Sequence, residues 1–156
     1  MSETLNFQEY MAKLKELGAD LKESARRVNS QMNAKGMEET VRKTPTGTYP
    51  SQVTFTTKAG KVVSFPVAHK QGGTLKHNWL DGGTKRVGNG FESRYYNNTL
   101  YAAYVNDGHR IVNRKKETVG YKEGVRMLEQ GQNVAKASAD AIFNAEIQRV
   151  KAKGGW

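Results

Sequence analysis

The sequence predicts an α+β domain: a long N-terminal helix, a small antiparallel sheet of about four strands with an extra hairpin, and a long C-terminal helix packed on the sheet. Three observations point to it. An apolar stripe at helical spacing runs from Phe7 to Met32. Short β-rich runs, separated by turn residues, follow the proline at Pro45. A second helical stripe, rich in alanine, runs from about Gly124 to Lys151. A chain of 156 residues with no repeat and no long linker reads as one domain, 1–156.

Asn6 stands in an N-cap position with Glu9 three residues on, and Leu5 and Tyr10 occupy staple positions. Phe7, Met11, Leu14, Leu21, Ala25, Val28 and Met32 then form one face, widened by Tyr10 and Leu17, with a skipped turn at Gly18. The helix is expected to reach about Ala34, with scope to resume after Gly36 through Met37 and Val41 before Pro45 stops it. The same spacing suits a short coiled-coil seam, but helices of this length in small domains mostly pack on their own sheet.

Gln52 to Thr57 reads as a strand, Lys58-Ala59-Gly60-Lys61 as a turn and Val62 to Phe65 as the answering strand, with Pro66 placing the pair at an edge. This hairpin occupies an insertion at about 46–71. Thr74 to Leu80 is the next strand, Asp81-Gly82-Gly83-Thr84 a turn, and Phe91 to Tyr96 the strand paired with the one carrying Trp79. Thr99 opens a short helix through Val105, closed at Asn106-Asp107-Gly108. Ile111 to Lys122 reads as a long basic loop, with scope to start as a strand. The final helix presents Leu128, Ala135, Ala139, Ile142, Phe143, Ile147 and Val150 on one face, and residues 152–156 form a flexible tail. Trp79, Tyr101, Tyr104, Leu128 and Phe143 are expected in the core.

Hydrophobic residues make up 37% of the chain and mean hydropathy is -0.75, so the protein is lean in apolar side chains. That leanness fits either a surface reserved for partners or long polar loops. The absence of cysteine excludes disulfides and thiolate-bound metals. No apolar run approaches membrane-spanning length, and Met1 to Asn6 lacks a basic-then-apolar signal pattern, so cytoplasmic synthesis is expected. The net charge of +10 is unevenly placed. Lys58 to Arg86 holds six cations against Asp81, and Arg110 to Lys122 holds five against Glu117. Clustered positive charge attracts phosphates or acidic protein surfaces, although an isolated basic loop is more often solvated charge.

Little in the chain suggests chemistry. His69, His77 and His109 have no second histidine at ligand spacing, so no metal site and no cofactor is expected. His109 with Asp107 and Asp81 could form a hydrolytic cluster, but a loop histidine bonded to backbone is the commoner arrangement. No serine sits in a nucleophile elbow. Gly82-Gly83 and Gly88-Asn89-Gly90 fit no nucleotide-binding pattern and read as hairpin turns. The expectation is no catalytic residue and no enzyme. Tyr95, Tyr96, Tyr101 and Tyr104 could stack on single-stranded nucleic acid, but strand alternation lets at most one of Tyr95 and Tyr96 face out, and Tyr101 and Tyr104 are expected under the loop.

Three pieces in order mark the middle of the chain. They are Gly73-Thr74-Leu75 leading to Trp79; Tyr101-Ala102-Ala103-Tyr104-Val105 leading to Gly108-His109-Arg110; and Gly120, Gly124 and Met127-Leu128. This order resembles the neck proteins of tailed bacteriophages and prophages, described as head–tail joining, tail-completion or minor capsid proteins. The likeness covers about the last two thirds of the chain. It implies a structural virion part without chemistry, made in the host cytoplasm and placed at the neck. Subunits would form a homo-oligomeric ring, sixfold by the resemblance, between the connector or adaptor and the tail terminator or tail tube. Packaged DNA would pass through the ring without sequence specificity, and no membrane is involved. Under that reading Lys58, Lys61, Arg114, Lys115 and Lys116 face the DNA channel or an acidic partner. A tail terminator is the near alternative, and a non-specific nucleic-acid-binding protein is the alternative from another class. The chain departs from the pattern in its 46–71 hairpin and in beginning the first motif Gly-Thr-Leu.

Overall fold

A computed structural model describes residues 7–47, 50–67 and 72–154. The cap and staple expected at Asn6 and Leu5 lie outside those residues, as do His69, Lys70 and the last two residues of the tail. The protein is mixed α and β, with helices at both ends and small antiparallel sheets between them.

The N-terminal stripe is divided. Helix α1 spans Phe7–Glu16 and α2 spans Leu21–Lys43. The break falls at the skipped turn: Gly18 takes a φ of 68°, and Asp20 caps α2 by accepting from the backbone N–H groups of Lys22 and Glu23 at 3.0 and 3.3 Å. Beyond it α2 runs unbroken through Gly36, past the expected end at Ala34. Gly36 is needed for packing: a Cβ there would press on Ala135 and on the carbonyl of Gly131, each at 3.3 Å. Much of the apolar face of α1 and α2 meets other helices of the same chain, although Phe7 stays 57% exposed.

The expected sheet of about four strands is instead three separate two-stranded hairpins. Strands β1 (Gln52–Thr56) and β2 (Val62–Pro66) pair as the turn signals indicated. Strands β3 (Trp79–Val87) and β4 (Gly90–Asn97) pair from Trp79↔Asn97 to Val87↔Gly90. Strands β5 (Gly108–Val112) and β6 (Thr118–Glu123) form the third. The β3–β4 hairpin lays its half-buried residues Phe91, Ser93 and Tyr95 on α2, so helix packing replaces strand pairing.

Four local expectations need correction. Thr74 to Leu80 begins as a short helix, α3 (Thr74–His77), before β3 starts at Trp79. Asp81-Gly82-Gly83-Thr84 is a bulge inside β3, held by the Asp81 carboxylate accepting from the Gly83 N–H at 2.8 Å. The basic loop is a hairpin because the Asn113 side chain organises its turn, accepting from the N–H groups of Lys115 and Glu117 at 2.9 and 3.0 Å, while Lys116 takes a φ of 64°. The C-terminal helix is two, α5 (Met127–Ala137) and α6 (Ala139–Lys153), broken where the Ser138 hydroxyl bonds back to the Val134 carbonyl. Helix α6 also runs on into the first residues of the expected tail. Both helices pack on helices, α5 chiefly on α2 and α6 on α1 and α2. None of the helices is long and apolar enough to cross a membrane, among the described residues.

Two apolar clusters result. One joins Tyr10 and Leu14 to Val28, Phe143, Ile147 and Val150, with the Tyr10 and Phe143 rings stacked at 4.5 Å. The other gathers Leu75, Trp79 and Met127 against Met37, Val41 and Leu128.

Candidate functional site

The second cluster is where the three motifs meet. Leu75, Trp79 and Met127 are buried and Leu128 is half-buried. Trp79 donates its indole N–H to the Thr44 hydroxyl at 2.8 Å, and that hydroxyl donates to the Thr40 carbonyl at 2.7 Å. Thr40 in turn donates to the Gly36 carbonyl and shares a 3.0 Å hydrogen bond with the Tyr95 hydroxyl. Buried polar groups are thereby satisfied along the last turns of α2. Thr40 and Thr44 escaped the sequence reading because buried threonines carry no apolar signal.

Asn106 is the other organising residue, and the motifs did not flag it. It sits buried in helix α4 (Ala102–Asp107). Its side-chain carbonyl accepts from the Leu128 N–H at 3.0 Å, and its amide donates to Asp107 at 2.7 Å and Glu129 at 3.1 Å. The Arg126 and Val125 N–H groups bond the Asn106 and Val105 carbonyls at 3.0 and 2.9 Å. The second motif is thus stitched to the third through backbone. The first is tied in by Asn97, whose amide donates to the Leu75 carbonyl at 2.7 Å. The Glu129 carboxyl is held below the usual glutamate range, first by a hydrogen bond from its own backbone N–H and then by Asn106 and Arg126.

Gly108 shows why the motif demands glycine. Its φ is 88°, and a Cβ would meet the Lys122 carbonyl at 2.5 Å and the Gly124 nitrogen at 2.8 Å. Gly124 is equally crowded against Asn106, and Gly73 enters α3 at a φ of 98°. Gly120 is different: its nearest neighbour is the Ile111 side chain at 3.7 Å.

Tyr101 and Tyr104 are not in the core. They are 45% and 60% exposed. The inward face of α4 is taken by Ala102, Val105 and Asn106, which leaves both rings outside. With Leu75, His109 and Val125 they border a cleft of about 440 Å³. His109 packs edge-on to Tyr104 with centroids 6.1 Å apart, and its Nδ1 lies 3.5 Å from the Tyr104 carbonyl. Arg110 is exposed and lies opposite Tyr121. Tyr95 and Tyr96 divide as alternation required: Tyr95 packs on Trp79, while Tyr96 is exposed beneath the Arg94 guanidinium.

The five singled-out cations are all exposed, at the ends of two different hairpins. Lys58 and Lys61 stand at the β1–β2 turn; Arg114, Lys115 and Lys116 stand at the β5–β6 turn. His109 and Asp107 do not form a hydrolytic cluster with Asp81, which instead accepts from Asn33 at 3.1 Å. Among the described residues no three His, Asp or Glu side chains gather as metal ligands. What the arrangement offers is contact surface: an aromatic-rimmed cleft at the motif junction, and hairpins with exposed apolar faces and cationic ends. No family model matches the chain, and neither a curated protein nor a solved structure shows significant similarity to it.

Proposed function

We propose that the chain is a structural subunit of a phage head–tail junction, assembling into a ring that joins connector to tail around the DNA channel. The observation that carries the reading is the surplus of contact surface on the hairpins. No hairpin pairs with another among the described residues, so their outer edges have no strand partner, although Asn29 and Asn33 of α2 donate to the Phe91 and Arg94 carbonyls of β4. Phe55, Val62, Phe65, Val119 and Tyr121 are between 46% and 63% exposed. A two-stranded hairpin is marginal alone, and an assembly would cover it. A ring requires heterologous contacts that close by rotation, and projecting hairpins on a compact body suit such contacts. The order of the Gly-Thr-Leu…Trp, Tyr-Ala-x-Tyr-Val…Gly-His-Arg and Gly…Met-Leu motifs supports the same class.

The test is the mass of the purified protein by light scattering, with electron microscopy of any oligomer. Closed rings are expected, and Phe55→Asp together with Phe65→Asp should release folded monomers. A monomeric mass at every concentration would sink the ring. The net charge of +10 favours a second reading, a non-specific nucleic-acid-binding protein acting as monomer or dimer. A tail terminator belongs to the first class; counting joined particles against untailed heads in assembly reactions separates it from a joining protein.

A further inference from the structure

We propose that the β3–β4 hairpin is a third DNA-contacting arm, so that all three hairpin ends grip duplex phosphate. Lys85 and Arg86 belong to the basic segment Lys58 to Arg86, but the sequence singles out only cations of the other two hairpins as facing DNA or a partner. The proposal rests on the ring reading for the presence of DNA beside the subunit, but not for the contact itself. The end of this hairpin carries Lys85 and Arg86, both exposed, beside the Gly88-Asn89 turn. All six ion pairs among the described residues involve helix residues or Arg126 at the start of α5, and none uses a hairpin cation. Lys85 lies across from Glu92 in the β3–β4 register without an ion pair. Arg86 is turned toward the hairpin end, its Nε donating to the Gly88 carbonyl at 3.4 Å.

The residues around these cations select the partner. The three turns are Ala59-Gly60, Gly88-Asn89 and Asn113 to Glu117, with no aromatic side chain in any of them. Protein interfaces are enriched in aromatics and depleted of lysine, the reverse of these ends. Single-strand binding needs rings on which bases stack, and the turns have none. Exposed lysines and arginines on small, polar turns fit the phosphates of a duplex, contacted without reading its sequence.

The experiment is fluorescence anisotropy of the full chain on a labelled duplex of arbitrary sequence, repeated over a series of salt concentrations. The cations at the three ends (Lys58 and Lys61; Lys85 and Arg86; Arg114, Lys115 and Lys116) predict a slope of log affinity against log salt of about −6. Lys85→Gln with Arg86→Gln should flatten it by about 2, as should Lys58→Gln with Lys61→Gln; neutralising Arg114, Lys115 and Lys116 should flatten it by about 3. The exchange Lys85→Arg with Arg86→Lys should keep the parent slope, which shows that charge is read and not fold. Lys13→Gln with Lys15→Gln, on exposed positions of α1, should change nothing. A parent slope shallower than about −2, an unchanged slope in the Lys85/Arg86 variant, or tighter binding to single strands than to duplex would overturn the assignment. Light scattering on the same samples keeps the two proposals apart: a monomer with these slopes loses the ring and keeps the arms, and a ring with flat slopes does the reverse.

Discussion

The helical body and the hairpins of this protein follow opposite rules. In the body, the buried charge is paired and the largest apolar side chains of the two clusters are enclosed. Glu146 is buried between Arg149, at 2.6 Å, and Arg27, at 3.4 Å, while Tyr10 and Leu14 are almost wholly enclosed. In the hairpins the cations form no ion pair among the described residues, and in the β1–β2 hairpin aromatic residues face outward: Phe55 and Phe65 meet edge-on at 6.3 Å and are still about half exposed. The difference separates two tasks along one chain. Residues of the body, together with Trp79 and Tyr95 at the base of the β3–β4 hairpin, hold the fold, and residues toward the hairpin ends are free to meet something else.

The largest effects are expected at the centre of the body. Trp79→Ala should cost about 3–5 kcal/mol in chemical unfolding, because it empties a packed site and removes the indole donor from the Thr44 hydroxyl. Phe143→Ala in the other cluster should cost a similar amount. A loss below about 1 kcal/mol at either would move that residue out of the core and erase the contrast with the hairpins. Gly131→Ala comes next, at about 3 kcal/mol, since its Cβ would overlap Thr40 and the Gly36 carbonyl where α5 crosses α2.

Glu146 tests the electrostatic half of the contrast. Burial pushes its carboxyl up, but hydrogen bonds led by that of Arg149 outweigh burial and leave the pKa below 4.5. A lowered carboxylate pKa gives stability that is full above the ordinary value and lost as pH falls through the folded one. Glu146→Gln should therefore cost about 2 kcal/mol at neutral pH and flatten the loss of stability below pH 4.5, read from urea midpoints across pH. The smallest effects belong to the hairpins. Phe55→Ala should change subunit stability by less than about 1 kcal/mol while weakening assembly. Gly120→Ala should stay within about 0.5 kcal/mol, whereas Gly124→Ala, four residues along in the same motif, should unfold the junction.

The legible parts of this fold are those where one residue type has one meaning. Lys58-Ala59-Gly60-Lys61 marked the first hairpin turn, whereas the skipped turn at Gly18, expected inside one long helix, is where the chain divides into two. The β5–β6 hairpin was illegible because a side chain, Asn113, and a non-glycine at positive φ, Lys116, make its turn. At the candidate site the motifs identified Trp79, Gly108 and Met127, but not how they are joined. Asn106, Thr40 and Thr44 do that joining as buried polar residues, and no spacing announces a hydrogen bond. Tyr101 and Tyr104 misled for the converse reason: large rings suggest burial, but the inward positions of α4 were already filled by smaller neighbours.

Helix α2 touches both apolar clusters, through Val28 and Met32 at one end and Met37 and Val41 at the other. Its 23 residues span about 34 Å. Each cluster can therefore open by fraying one end of the helix while the other end stays docked. In hydrogen–deuterium exchange the protein should behave as two cooperative units sharing a common strut, with protection highest in the turns of α2 around Gly36, where opening from either side must pass through the Gly36–Gly131 crossing.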